Sequence, residues 1–182
     1  MNITIRTGDV WEDSTSLFIG IPCDLITKSN EYIRRLKKDF PMTYKKYLIR
    51  YSSNRVLKKS NKKANISTLI NKKGRHAPIF SKLKIGGKDK RMYRYAVFLP
   101  CSIDGIKSYA KLRDTLEFIQ RNHRSRVITS MSMPLLDGGN LDQQKTLDIM
   151  IEEMSKWDLI RVELFVPEKM LGVANKMIQK YK

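Results

Sequence analysis

The chain has 182 residues, enough for one domain with a substantial apolar core. No run of about 18 apolar residues occurs, which argues against a transmembrane helix, and Met1-Asn2-Ile3-Thr4 lacks the charged and apolar regions of a secretory leader. The formal charge is +18, and two cysteines, Cys23 and Cys101, support no disulfide framework and suit a reducing cytoplasm.

Asn2–Arg6 alternates as a short strand and leads into the turn Thr7-Gly8-Asp9-Val10. After the polar bend at Glu12 and Asp13, Ser14–Ile21 reads as a second strand centred on Leu17, Phe18, Ile19 and Ile21, with Pro22 ending it. Cys23–Glu31 is polar and turn-like, and Ser29 or Asn30 is placed to cap a helix beginning near Glu31. Ile33, Leu36 and Phe40 share one face of that helix, with Arg34, Arg35, Lys37 and Lys38 on the others. Pro41 interrupts it, and Thr43–Tyr51 resumes with Tyr44, Tyr47, Leu48 and Tyr51 at helical spacing. Tyrosines among lysines can stack nucleobases; here the preferred reading is that they pack the helix onto a sheet.

Charge is concentrated rather than spread. Arg34 through Arg94 holds 21 Lys and Arg residues against Asp39 and Asp89 alone, while the rest of the chain is close to neutral. Such segregation repels itself, and a polyanion relieves the repulsion. The phosphate-contacting candidates are Arg34, Arg35, Lys37 and Lys38 on the helix, and Lys58, Lys59, Lys62 and Lys63 in a loop. Lys72, Lys73 and Arg75 beyond it, and Lys88, Lys90 and Arg91 at a hairpin turn, complete the set. Residues 52–78 look least structured, as a basic insertion in which Ala64–Lys72 forms at most a short helix.

Ile79–Ile85 and Met92–Leu99 read as two strands joined at Gly86-Gly87-Lys88-Asp89, with Pro100 closing the second. Asp104 precedes an amphipathic helix through Ile106, Tyr109, Leu112, Leu116 and Ile119. Val127–Met133 alternates as a strand stopped by Pro134, and Asp142 caps a helix over Gln143–Trp157. Leu159–Val166 is a last strand, and Pro167 opens a C-terminal helix reaching about residue 182. Between Pro134 and Asp142 lie Gly138 and Gly139. A glycine loop between a strand end and a helix start is where α/β folds hold phosphates, although an ordinary tight turn satisfies the same pattern. This element order predicts a single α/β domain over 1–182, three layers deep, with a mixed central sheet and right-handed crossovers in its later βαβ units.

Four stretches, in order, resemble a macro domain, the ADP-ribose-binding module. The likeness is to the branch containing terminal ADP-ribose glycohydrolase and the antitoxin macro domains that remove ADP-ribose from DNA. They are Ile5-Arg6-Thr7-Gly8-Asp9-Val10, then Leu36-Lys37-Lys38-Asp39-Phe40-Pro41 with Tyr44 and Tyr47, then Phe98-Leu99-Pro100 with Ser108-Tyr109, and Met133-Pro134-Leu135 with Gly138-Gly139 and Leu141-Asp142. The resemblance implies a three-layer αβα fold and a ligand site at Gly8, Asp9, Gly138, Gly139 and Asn140, where Asp9 accepts a hydrogen bond from adenine.

The departures bear on catalysis. Counting back from Phe40-Pro41, the branch's asparagine positions fall on Gly20 and Cys23, and its glycine segment falls on Ile26–Glu31, which contains no glycine. The second glycine loop is one residue short, and Glu31 puts a negative charge where the ligand is negative. Close approach to a diphosphate is obstructed by side chains with a Cβ. In the branch the glycine segment also carries a lysine that grips the distal ribose and diphosphate, and Lys28 and Asn30 are the residues that could replace it.

The first expectation is therefore a non-catalytic, macro-domain-like protein that binds nucleic acid, DNA before RNA. It would recognise ADP-ribosylated DNA or oppose an ADP-ribosylating toxin. The alternatives are an active ADP-ribosyl hydrolase acting on nucleic acid or protein, and a basic scaffold for an acidic protein partner. ADP-ribose or an ADP-ribosyltransferase is the further partner implied. No cofactor, metal or membrane is expected: His76 and His123 have no ligand spacing. The location expected is cytoplasmic, in a host cell if the gene is viral or from a phage, as its size and lysine density would suit.

Overall fold

A computed structural model describes residues 2–24, 29–49, 80–84, 93–103, 106–126, 128–136, 141–158 and 160–181. In chain order these form β1 (Ile3–Arg6), β2 (Phe18–Asp24), α1 (Glu31–Asp39), α2 (residues 41–49), β3 (Phe80–Lys84), β4 (Tyr93–Ile103) and β5 (Ile106–Lys107). There follow α3 (Tyr109–Arg126), β6 (Ser130–Pro134), α4 (Gln143–Ser155), β7 (Arg161–Phe165), a 3-10 turn (Glu168–Met170) and α5 (Leu171–Gln179). The strands make one sheet in the order β1-β7-β6-β2-β4-β3, with β5 folded onto β4. All pairings from β1 through β4 are parallel. The mixed character expected of the sheet is confined to its far edge, where β3 and β5 run antiparallel to β4.

Alternation along the strands sends side chains to two separate cores. Phe18, Val97, Leu99, Met131, Met133, Val162 and Leu164 face α3, α4 and α5, meeting Leu112, Leu116, Ile119, Leu147, Met150 and Ala174. Ile19, Ile21, Cys23, Ala96, Phe98 and Phe165 face α1 and α2, meeting Ile33, Leu36 and Tyr47. Tyr47 is fully buried and stacks on Phe98 at 5.3 Å between ring centroids, and Tyr44 packs partly buried beside it. Those two tyrosines hold the helix to the sheet as expected; Tyr51 lies outside the described residues.

Several boundaries differ from the sequence expectation for local reasons. The second strand runs from Phe18 and continues through Pro22 to Asp24. Pairing with β6 covers only Phe18 and Ile19, so the missing Pro22 N–H leaves no gap on that side. Leu17, expected in the core, is 43% exposed. Ahead of it the buried positions belong to Ser14 and Ser16: Ser16 donates to a carboxylate inside the fold, and Ser14 donates to Ser132, which donates to the same carboxylate. β4 likewise passes Pro100 and reaches Ile103, with a register irregularity opposite Cys23 and Asp24. Ile106 belongs to β5 rather than a helix; Ser108 caps α3, accepting from the Lys111 N–H at 3.1 Å. Asp142 caps α4 as expected, accepting from the Lys145 N–H at 2.7 Å.

The internal carboxylate is Glu163 on β7. It accepts from Arg6 (2.7 Å), from the Thr15 N–H (2.9 Å) and hydroxyl (2.6 Å), and from the hydroxyls of Ser16 and Ser132. These bonds pin the segment 14–16 across three strands, and so fix where the turn after β1 can sit.

Candidate functional site

The chain leaves β2 toward β4 and leaves β6 toward β7, in opposite directions across the sheet, so the strand order reverses between β2 and β6. In open parallel sheets, ligands bind at the carboxyl ends of the strands near such a reversal. A cleft of about 510 Å³ opens along this edge. Gly8 to Trp11 line it from the turn after β1, and Glu31, Tyr32 and Arg35 from the first turns of α1. Pro134 and Leu135 at the end of β6 and Phe165 to Pro167 at the end of β7 close the remainder.

The turn after β1 is built for this place. Gly8 has φ +101°, a conformation side chains resist, and an added Cβ would collide with the Asp13 carboxylate. That carboxylate accepts from the Asp9 N–H at 2.7 Å, and Asp9 Oδ1 accepts from the Trp11 N–H at 2.8 Å. Arg35 Nη1 donates to Asp9 Oδ2 in a very close contact. Arg35 also donates to Glu12 through Nη2 (2.9 Å) and to Asp39 through Nε (3.4 Å). Its guanidinium lies 5.5 Å from the Trp11 ring, which stacks on Phe40. Burial works against the Arg35 charge, but Asp9 and Glu12 outweigh it and raise its pKa. The cleft therefore carries a fixed cation among carboxylates, beside aromatic and aliphatic walls.

Arg35 was expected among the phosphate contacts; in the structure three carboxylates hold it, and it lines the cleft. Arg34, Lys37 and Lys38 do stand exposed on the outer face of α1. Asn30, a candidate replacement for the ribose- and diphosphate-gripping lysine, is the cap of α1. Its Oδ1 accepts from the Ile33 N–H and its Nδ2 donates to the Pro22 carbonyl, both at 2.9 Å. Gly20, where the branch would place an asparagine, has no room for one: an added Cβ would lie 2.7 Å from Leu99 Cδ1 and 3.0 Å from Met133 Cβ. Cys23 is fully buried. Lys28, Lys58, Lys59, Lys62, Lys63, Lys72, Lys73, Arg75, Lys88, Lys90, Arg91, Gly138, Gly139 and Asn140 lie outside the described residues.

Sequence reasoning missed Trp11, Tyr32 and Phe165 as cleft residues. Trp11 stands two positions after Asp9, so the turn itself carried the signal. It also missed a buried polar set at the ends of β2 and β4. There Ser102 donates to Asp24 at 2.8 Å, and the Tyr47 hydroxyl donates to the Asp24 carbonyl at 3.4 Å. Lys111 is buried close by, and burial lowers its pKa to about 8 against the pull of Asp114.

No family model matches the sequence, and no curated protein is similar to it. Solved structures are. The chain is similar to Thermosipho africanus DarTG in complex with ADP-ribose, with a TM-score of 0.70 and 14% identity. That match covers 98% of this chain, which spans 46% of the DarTG chain's length. The macrodomain of Mycobacterium tuberculosis DarG matches at TM-score 0.67 and 13% identity over 91% of this chain and 98% of its own. A Trypanosoma brucei macrodomain in complex with ADP-ribose matches at 0.60 and 10% identity, over 98% and 68% of the two chains. The fold is that of the macrodomains.

Proposed function

We propose that this protein binds an ADP-ribosyl group in the cleft while its basic segment holds nucleic acid, and that it acts by binding rather than by hydrolysis. The observation that carries the reading is the cleft itself. About 510 Å³ of space opens at the carboxyl ends of β1, β6 and β7 in a fold shared with two proteins solved in complex with ADP-ribose.

The nucleic-acid part rests on α1 having two roles. Glu31, Tyr32 and Arg35 line the cleft, while Arg34, Lys37 and Lys38 stand exposed on the same helix and Lys45 and Lys46 on the next. A backbone held by those cations would bring a modified nucleotide to the cleft mouth. Residues 52–78 add further charge in the same stretch of sequence, as an insertion in one domain.

Against hydrolysis stand the commitments of the described side chains. Asn30 is used up as a helix cap, and Gly20 has no space for a side chain. A hydrolase needs a base or polarising group within hydrogen-bond reach of the scissile bond.

The test is a duplex carrying one ADP-ribosylated base beside its unmodified twin. The modified duplex is expected to bind about tenfold tighter and to be recovered with its ADP-ribose in place. Equal binding of the two duplexes would overturn cleft recognition, and released ADP-ribose would overturn the non-catalytic reading.

A further inference from the structure

Arg35 changes what the cleft offers a base. A carboxylate accepts hydrogen bonds and suits an exocyclic amino group such as that of adenine. A guanidinium only donates, and suits a carbonyl oxygen beside a ring nitrogen, the O6 and N7 edge of a 6-oxopurine. At this site the carboxylate of Asp9 is already engaged on both oxygens, by the Trp11 N–H and by Arg35. An amino group arriving there competes with a charge-assisted bond, which is about twice as strong as a neutral one.

The guanidinium, by contrast, has donors to spare. Its hydrogen bonds use one N–H on each of Nη1, Nη2 and Nε. One N–H on each terminal nitrogen is left with no acceptor among the described residues. The group is one-third exposed, lines the cleft, and is fixed by three carboxylates and the face of Trp11. Donors held this rigidly lose little freedom on meeting a ligand.

We infer that Arg35 sets the base specificity of the cleft, turning the Asp9 end from an acceptor of an adenine amino group into a paired donor for a 6-oxopurine nucleotide. The inference deepens the nucleotide-binding reading of the cleft and rests on it. Nucleotides with hypoxanthine or guanine then bind at least as well as their adenine counterparts, and removing Arg35 restores adenine preference by freeing Asp9.

Calorimetric titration with inosine, guanosine and adenosine monophosphates, with ADP-ribose as the reference, tests this on the whole chain. For the unaltered protein the inosine nucleotide is expected to bind about tenfold tighter than the adenosine nucleotide. In Arg35→Gln that order is expected to reverse. Arg35→Lys keeps the charge but loses the fork, and is expected to abolish the preference without reversing it. Melting curves establish that both variants are folded before titration. Tighter binding of the adenosine nucleotide to the unaltered protein, or a preference that both folded variants retain, would overturn the inference and leave nucleotide binding intact. Binding of none of the four ligands would overturn the nucleotide reading as well.

Discussion

Glu163 shows how one residue orders the region around the cleft. Five donors converge on its carboxylate, which is 5% exposed. Burial pushes its pKa up, but the hydrogen bonds from Ser132, Thr15 and Arg6 prevail and hold it at about 2 rather than 4.5. A carboxylate with a lowered folded pKa adds stability above its unfolded value and loses it as pH falls through the folded one. About 3 kcal/mol is therefore expected to disappear between roughly pH 4.5 and pH 2. Glu163→Gln should lower the melting temperature at pH 7 and flatten the acid limb of the stability curve; an unchanged acid limb would refute the assignment. Gly8→Ala should cost about 1–3 kcal/mol, because the alanine would keep a positive φ and meet Asp13. Denaturant unfolding measures it. Gly8 and Asp9 were legible in the sequence because a Gly-Asp turn after a strand is local chemistry. The partner of Asp9 was not: Arg35 lies 26 positions away, and only folding brings them together.

At the scale of elements, α1 positions the site, and its start depends on one side chain. Asn30 both caps the helix and ties it back to Pro22. Asn30→Ala is expected to destabilise by about 1–2 kcal/mol. Asn30→Asp keeps the capping acceptor but loses the donor to Pro22, and should fall between the two in chemical denaturation. A loss for Asp as large as for Ala would place the effect in the Pro22 bond alone. Periodicity located α1, α4 and the parallel strands well, because each buries one clear face. It failed where tertiary bonding overrode pattern. Ser16 is buried against Glu163 and Ser14 against Ser132, Leu17 turns outward, and Pro22 sits inside a strand whose neighbour has already ended.

For the whole molecule, fold and charge make separate statements. The macrodomain fold persists at 10–14% identity because two faces of alternating apolar residues suffice to rebuild the sheet and its layers. The excess charge owes nothing to the fold, and predicts binding driven by counterion release. With about five phosphates met, log K against log[salt] for duplex DNA should slope near −4 to −5. Changing Lys37, Lys38, Lys45 and Lys46 to Ala should flatten the slope by about 0.9 for each lysine that met a phosphate. These four are exposed on α1 and α2, so the melting temperature should hardly move. A slope unaffected by all four would place the contacts elsewhere on the chain.

The cleft at the carboxyl ends of β1, β6 and β7 is proposed as a nucleotide site. Isothermal calorimetry with ADP-ribose checks this on the unaltered protein and on Tyr32→Ala, which removes part of the cleft wall. The expected result is a saturable one-to-one isotherm that weakens about tenfold in the variant, with the ligand recovered unchanged. No heat of binding at millimolar ADP-ribose, or an isotherm that Tyr32→Ala leaves untouched, would contradict the assignment.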